Sequence, residues 1–105
     1  MTMQAAITDL DEALKTLANP VRRRILAQLK HPEQNFPNQD HPYDFGVCAG
    51  KIGDATGLSQ STISAHLAIL QHAGLLTVRR VGQWHFYKRN EPAIAAFLEQ
   101  LEHTL

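Results

Sequence analysis

The chain has a single cysteine, Cys48, among 105 residues, which excludes an internal disulfide framework and fits a reducing compartment. No apolar run comes near the ~18 residues that a membrane-spanning helix needs, so no membrane partner is expected. The opening MTMQAAITDLDEAL lacks a basic start followed by an apolar block; no secretory leader is expected, and the cytoplasm is the expected location. There are no internal repeats and no low-complexity tracts. The formal net charge is zero, which at first argues against a polyanionic partner. What the chain does contain is 44% apolar and 19% charged residues, the profile of a single globular domain spanning residues 1–105.

The distribution of charge qualifies its neutral sum. Between residues 45 and 90 the ionic side chains are Lys51, Arg79, Arg80, Lys88 and Arg89 against Asp54 alone, a surplus of four positive charges. The remainder carries the compensating acids. A chain segregated in this way can present a basic face.

Periodicity then orders the chain. Thr8 or Asp9 can cap a first helix with apolar positions Ile7, Leu10, Leu14 and Leu17. Asn19-Pro20 opens a second, which should bury Val21, Ile25, Leu26 and Leu29 while Arg22, Arg23 and Arg24 point outward. Residues 31–44, HPEQNFPNQDHPYD, hold three prolines and no helical period, and are long for an internal connection. A short strand is expected at 45–47. A third helix at 48–56, weakened by Gly50 and Gly53, should pack through Cys48, Ile52 and Ala55 and stop at Gly57. A fourth runs from Gln60 to about His72. Residues 75–81 and 84–89 alternate as a β-hairpin about Gly82-Gln83, with Trp84, Phe86 and Tyr87 as core-face aromatics. A last helix carries Ile94, Phe97, Leu98, Leu101 and Leu105.

The fourth helix carries the functional signal. With Ser59 as N-cap, Ile63, Leu67 and Leu70 fall on one face and His66 on its margin. Opposite lie Ser61, Ala65, Ala68 and His72, flanked by Gln60, Thr62 and Ser64. A helix enters the major groove of B-DNA only if its outward side chains are short and carry hydrogen-bonding groups. Gln can pair with adenine, Ser and Thr with several partners, and Ala can rest on a thymine methyl. With the preceding helix and turn this makes a helix-turn-helix at about 48–73, and the hairpin at about 75–89 makes a wing. The DNA-binding candidates are Ser59, Gln60, Ser61, Thr62, Ser64, Ala65, His66, Arg79, Arg80 and Gln83, with Lys88 and Arg89 as further backbone anchors. The expected architecture is mainly α with a β-hairpin wing and about five helices.

Three segments, LANPVRRRILAQL (17–29), GLSQSTISAHLAILQHAGLL (57–76) and RRVGQWHFYK (79–88), resemble the ArsR/SmtB-type (arsenic-responsive) winged-helix repressors of bacteria. The resemblance covers nearly the whole chain. It implies a homodimer built from the first and last helices (about 8–18 and 91–105), a palindromic double-stranded DNA operator, and release by a small-molecule or metal inducer. The family's metalloid sensors carry C-V-C where this chain reads FGVCA, with Gly46 at one thiol position and only Cys48 left. Its zinc sensors use carboxylate and His pairs on the last helix, where this chain offers Glu99, Glu102 and His103 but Ala95 and Ala96 at the partner positions. No cofactor and no metal site is therefore expected. The alternatives are a metal- or redox-responsive repressor using Cys48 or loop residues such as His31, Asp40, His41 and Asp44, and a winged helix used for protein–protein contact. An enzyme has the least support, since no nucleophile–base spacing or phosphate-binding glycine loop is evident.

Overall fold

The computed structural model describes residues 9–105. The expected contributions of Ile7 and Thr8 to the first helix lie outside them. Helix α1 (Leu10–Leu17) starts at Asp9, whose carboxylate accepts the Asp11 N–H at 3.1 Å. Helix α2 (Pro20–Leu29) starts at Asn19, whose side-chain oxygen accepts the N–H groups of Val21 and Arg22 at 2.8 and 3.2 Å. The segment after α2 is not the structureless loop that its prolines suggest. It forms the short helix α3 (Pro32–Asn35), buries Phe36, and ends in a 3-10 turn at Tyr43–Phe45. That adds a sixth helix to the expected five among the described residues.

Strand β1 (Val47–Cys48) falls later than the expected 45–47, because Phe45 belongs to the 3-10 turn and Gly46 adopts φ +108°. Helix α4 (Ala49–Thr56) packs through Ile52 and Gly53; Cys48 is only half-buried and Ala55 is exposed, contrary to expectation. Helix α5 (Gln60–His72) leads into strands β2 (Leu76–Val81) and β3 (Trp84–Arg89), and helix α6 (Glu91–Thr104) closes the chain. The sheet is antiparallel with order β1-β3-β2, so the hairpin gains a third strand. Asn90 fixes the last turn of chain: its N–H donates to Leu75 O at 3.0 Å and its amide to Gly74 O at 2.9 Å.

The core lies between α2, α4, α5 and one face of the sheet, built from Ile25, Leu26, Ile52, Ile63, Leu67, Leu70 and Tyr87. Each such side chain contributes ~1.5–3 kcal/mol by leaving water. Strand alternation sends Phe86 to the opposite face, yet it too is fully buried. Its cover is the segment after α3: the rings of His41 and Phe45 stand 5.0 and 5.4 Å from it. Phe86 is thus not a core-face aromatic of the hairpin, and Trp84, beside it, is 46% exposed. Helix α1 packs on α2 and α6. Among the described residues no helix is long and apolar enough to cross a membrane.

Candidate nucleic-acid interface

Helix α4 ends at Gly57, whose φ of +73° is the left-handed conformation that a side chain would strain. Two residues later the Ser59 Oγ accepts the Thr62 N–H at 3.2 Å and starts α5. The same hydroxyl donates to Thr62 Oγ1 at 2.8 Å and lies 3.3 Å from Ser61 Oγ. Ile63, Leu67 and Leu70 are fully buried, while Ser61, Thr62, Ser64, Ala65 and Ala68 are exposed. Gln60 folds back over α4, its Nε2 3.5 Å from Ala49 O. A Cβ at Gly53 would come within 2.5 Å of Gln60 Oε1, so the glycine makes room for that side chain.

His66 is half-buried and held from α2: Arg22 Nη1 lies 3.3 Å from His66 Nδ1. A guanidinium can only donate, so the ring offers the Nδ1 lone pair. Arg22 Nε also donates to Thr16 O at 2.7 Å, and Arg23 Nη1 to Leu17 O at 2.6 Å. Arg22 and Arg23 therefore fold back to satisfy carbonyls left open at the end of α1. The outward spray expected of the three arginines holds for Arg24, and Arg22 instead links α1, α2 and α5. Sequence reasoning missed this role, although 22, 25, 26 and 29 are helically spaced and put Arg22 beside the buried stripe.

On the wing, Arg79 and Arg80 leave opposite faces of β2. Arg79, in register with Phe86, lays its guanidinium over the Phe45 ring at 4.0 Å from the centroid. Arg80 is in register with His85 and exposed, and Gln83 is exposed at the turn. Burial raises the Tyr87 hydroxyl above its ordinary pKa, and the positive charge of Arg80 partly opposes that. Lys88 is exposed, with Nζ 3.2 Å from Asp44 O. Arg89 is not a free anchor. Its side chain is 13% exposed, Nη1 donates to Leu26 O at 3.0 Å, and Nε and Nη2 donate to the Glu91 carboxylate at 2.8 and 3.3 Å. Those hydrogen bonds hold the Glu91 carboxyl below the usual carboxylate range.

The residues do not fit a thiolate metalloid centre at 46–48. A Cβ at Gly46 would meet Tyr87 O at 2.6 Å and Tyr87 C at 2.8 Å, so a cysteine there would force the backbone to shift where β1 meets β3. Cys48 alone is too few soft ligands. His41 packs edge-on against Phe86 and tilted against Trp84, and no cluster of three His, Cys, Asp or Glu side chains able to hold a metal occurs among the described residues.

Two helices across a tight turn, the second with a small polar outer face, and then a basic hairpin define a winged helix-turn-helix protein. The family described as "Bacterial regulatory protein, arsR family" matches residues 47–78, from β1 into β2. An uncharacterized HTH-type transcriptional regulator of Bacillus subtilis (strain 168), YbzH, is 39% identical over 93 residues, 87% of this chain and 93% of that one. The transcriptional repressor SdpR of the same organism is 30% identical over 81 residues, 77% of this chain and 76% of its own. The homodimeric winged helix-turn-helix DNA-binding domain of Mb0332 from Mycobacterium bovis superposes with a TM-score of 0.61 at 29% identity, covering 90% of this chain and 81% of that one. The chain belongs to the arsR family of bacterial regulatory proteins.

Proposed function

We propose that the chain is a DNA-binding transcriptional repressor that acts as a homodimer on a palindromic operator, in the cytoplasm of its cell. The observation that carries this reading is the outer face of α5, where Ser61, Thr62, Ser64 and Ala65 stand exposed above a fully buried Ile63 and Leu67. Among the outward side chains between residues 61 and 68 none is longer than a threonine, so the backbone can approach base edges closely there. Gln60 reaches the same groove by rotating off Gly53. Arg79, Arg80, Lys88 and Gln83 hold the flanking phosphates, which makes affinity fall with salt. Arg22 keeps His66, and with it α5, in a fixed place relative to α1. His66 thus serves the interface by anchoring the helix.

Homodimerisation runs through α1 and α6, where Leu14 and Leu98 are 42% and 56% exposed. A twofold axis there sets the separation of the two α5 helices, and an inducer acts by changing that separation. A binding role and not a catalytic one is in keeping with a family of transcriptional regulators.

The test is Ser64→Glu. Glutamate is as good a helix former as serine, so the fold should be untouched. The lost contact and the new carboxylate, present twice per dimer, should weaken binding to a duplex selected by the wild-type protein at least ~100-fold. A folded dimer that binds that duplex as wild type does would refute the groove assignment.

A further inference from the structure

We propose that residues 37–46 are a working part of the wing, and that Phe45 is a positioning residue whose ring holds the Arg79 guanidinium ready for a DNA phosphate. This rests on the DNA-binding reading above. The Arg79 Cζ sits 4.0 Å over the Phe45 centroid. Stacking uses the flat face of the guanidinium and leaves the N–H groups on its edge to donate to phosphate oxygens. An exposed arginine gives up rotamer freedom when it grips a phosphate, and one already lying on a ring has given up part of it beforehand.

The platform is itself fixed. Phe45 stands edge-on to the buried Phe86 at 5.4 Å, and Phe86 is the cross-strand partner of Arg79. Behind it Gln39 ties the segment to β1: its Oε1 accepts the Cys48 N–H at 2.9 Å and its Nε2 donates to Gly46 O at 2.9 Å. Lys88 Nζ donates to Asp44 O at 3.2 Å from the neighbouring strand. The stretch that the helix-turn-helix leaves without a task is therefore the backing of one wing arginine.

The experiment is a double-mutant cycle on the full chain, read by anisotropy of a labelled duplex selected by the wild-type protein. Arg79→Met should weaken binding and lower the salt slope by about two per dimer, one phosphate per protomer. Phe45→Leu should weaken binding about 5- to 30-fold per dimer, and by no more than about twofold when Arg79 is already methionine. Phe45→Tyr, which keeps the ring face, should restore most of the affinity. Should Phe45→Leu fail to fold, Arg79→Lys serves instead: it keeps the charge, cannot stack as a plane, and should lose affinity to a similar degree. Equal loss from Phe45→Leu in both backgrounds overturns the proposal, because the loop then only braces the sheet. So does wild-type affinity in Arg79→Lys. Unchanged binding by Arg79→Met while Ser64→Glu abolishes it overturns the proposal and leaves the DNA reading standing. If Ser64→Glu also binds normally, the DNA reading has failed with it.

Discussion

Leu98→Glu should separate the dimer from the fold. Leu98 lies on α6 with 56% of its surface in water, while Ala93 and Phe97 on the same helix face the interior. Fully burying a leucine contributes ~1.5–3 kcal/mol, so covering the exposed share is worth ~0.8–1.7 kcal/mol. A twofold interface counts it twice, giving ~1.7–3.4 kcal/mol for the dimer. Removing that alone weakens dimerisation roughly 15- to 300-fold, and glutamate adds the desolvation of two carboxylates near the axis. The monomer should barely notice, since substitutions at exposed helix positions change stability by about 0.5 kcal/mol or less. Sedimentation across a concentration series reads the dissociation constant, and circular dichroism reads the fold. The variant should sediment as a folded monomer where wild type is dimeric. Its DNA affinity should also fall, because each monomer then engages one half-site without the advantage of a linked second. A wild-type dissociation constant in a folded Leu98→Glu protein would show that this face of α6 is not the interface.

Arg22→Met should lower the thermal midpoint by about 4–8 °C for each ~1 kcal/mol of lost hydrogen bonding, since Thr16 O and His66 Nδ1 both lose their donor; an unchanged melt would remove Arg22 from the link between α1 and α5. Glu91→Gln tests the pair with Arg89. The Glu91 pKa is depressed in the folded chain, so its stabilisation is complete above the unfolded carboxylate pKa and disappears as pH falls through the folded value. With Glu91 mostly exposed, the difference from wild type should be under ~1 kcal/mol at neutral pH and vanish in acid; a difference that grows in acid would contradict it. Cys48→Ser should leave DNA affinity unchanged and hold or raise the thermal midpoint. Cys48 is the N-cap of α4 without a side-chain hydrogen bond, a position at which a serine hydroxyl is worth ~0.5–1 kcal/mol. Weaker DNA binding or a lower melt would assign the thiol a role.

The features readable from sequence are those whose cause is local. Asn19 before Pro20, Ser59 before α5 and Gly57 after α4 each act on backbone groups within four residues, so short motifs disclose them. The hairpin likewise shows itself by alternation around Gly82. The exposed face of α5 follows from a 3.6-residue period once its buried face is known. Arg89 shows where a local reading fails. As a basic residue at the end of a wing strand it looks like an anchor, but alternation puts it on the same face as Tyr87, turned toward Leu26 O in α2, 63 residues away. Arg22 fails in the same manner, its partner His66 lying 44 residues on.

The segment after α2 was the least legible, yet one signal for it was present. Phe86 and Tyr87 are adjacent, and neighbours on a strand point to opposite faces. If both are buried, the sheet must be covered on both sides, and the helices of the core can supply only one cover. The other had to come from chain assigned to nothing else, and residues 37–46 were the stretch available. Gly46 is where that demand meets the family pattern. Its φ of +108° lets the chain turn from Phe45 on the outer face into β1 beside Tyr87, with no space for a Cβ. A cysteine at 46 and a covered outer face are therefore competing uses of one backbone position. In this chain the cover occupies it, and the position is closed to the thiol that the metalloid-sensing pattern would place there.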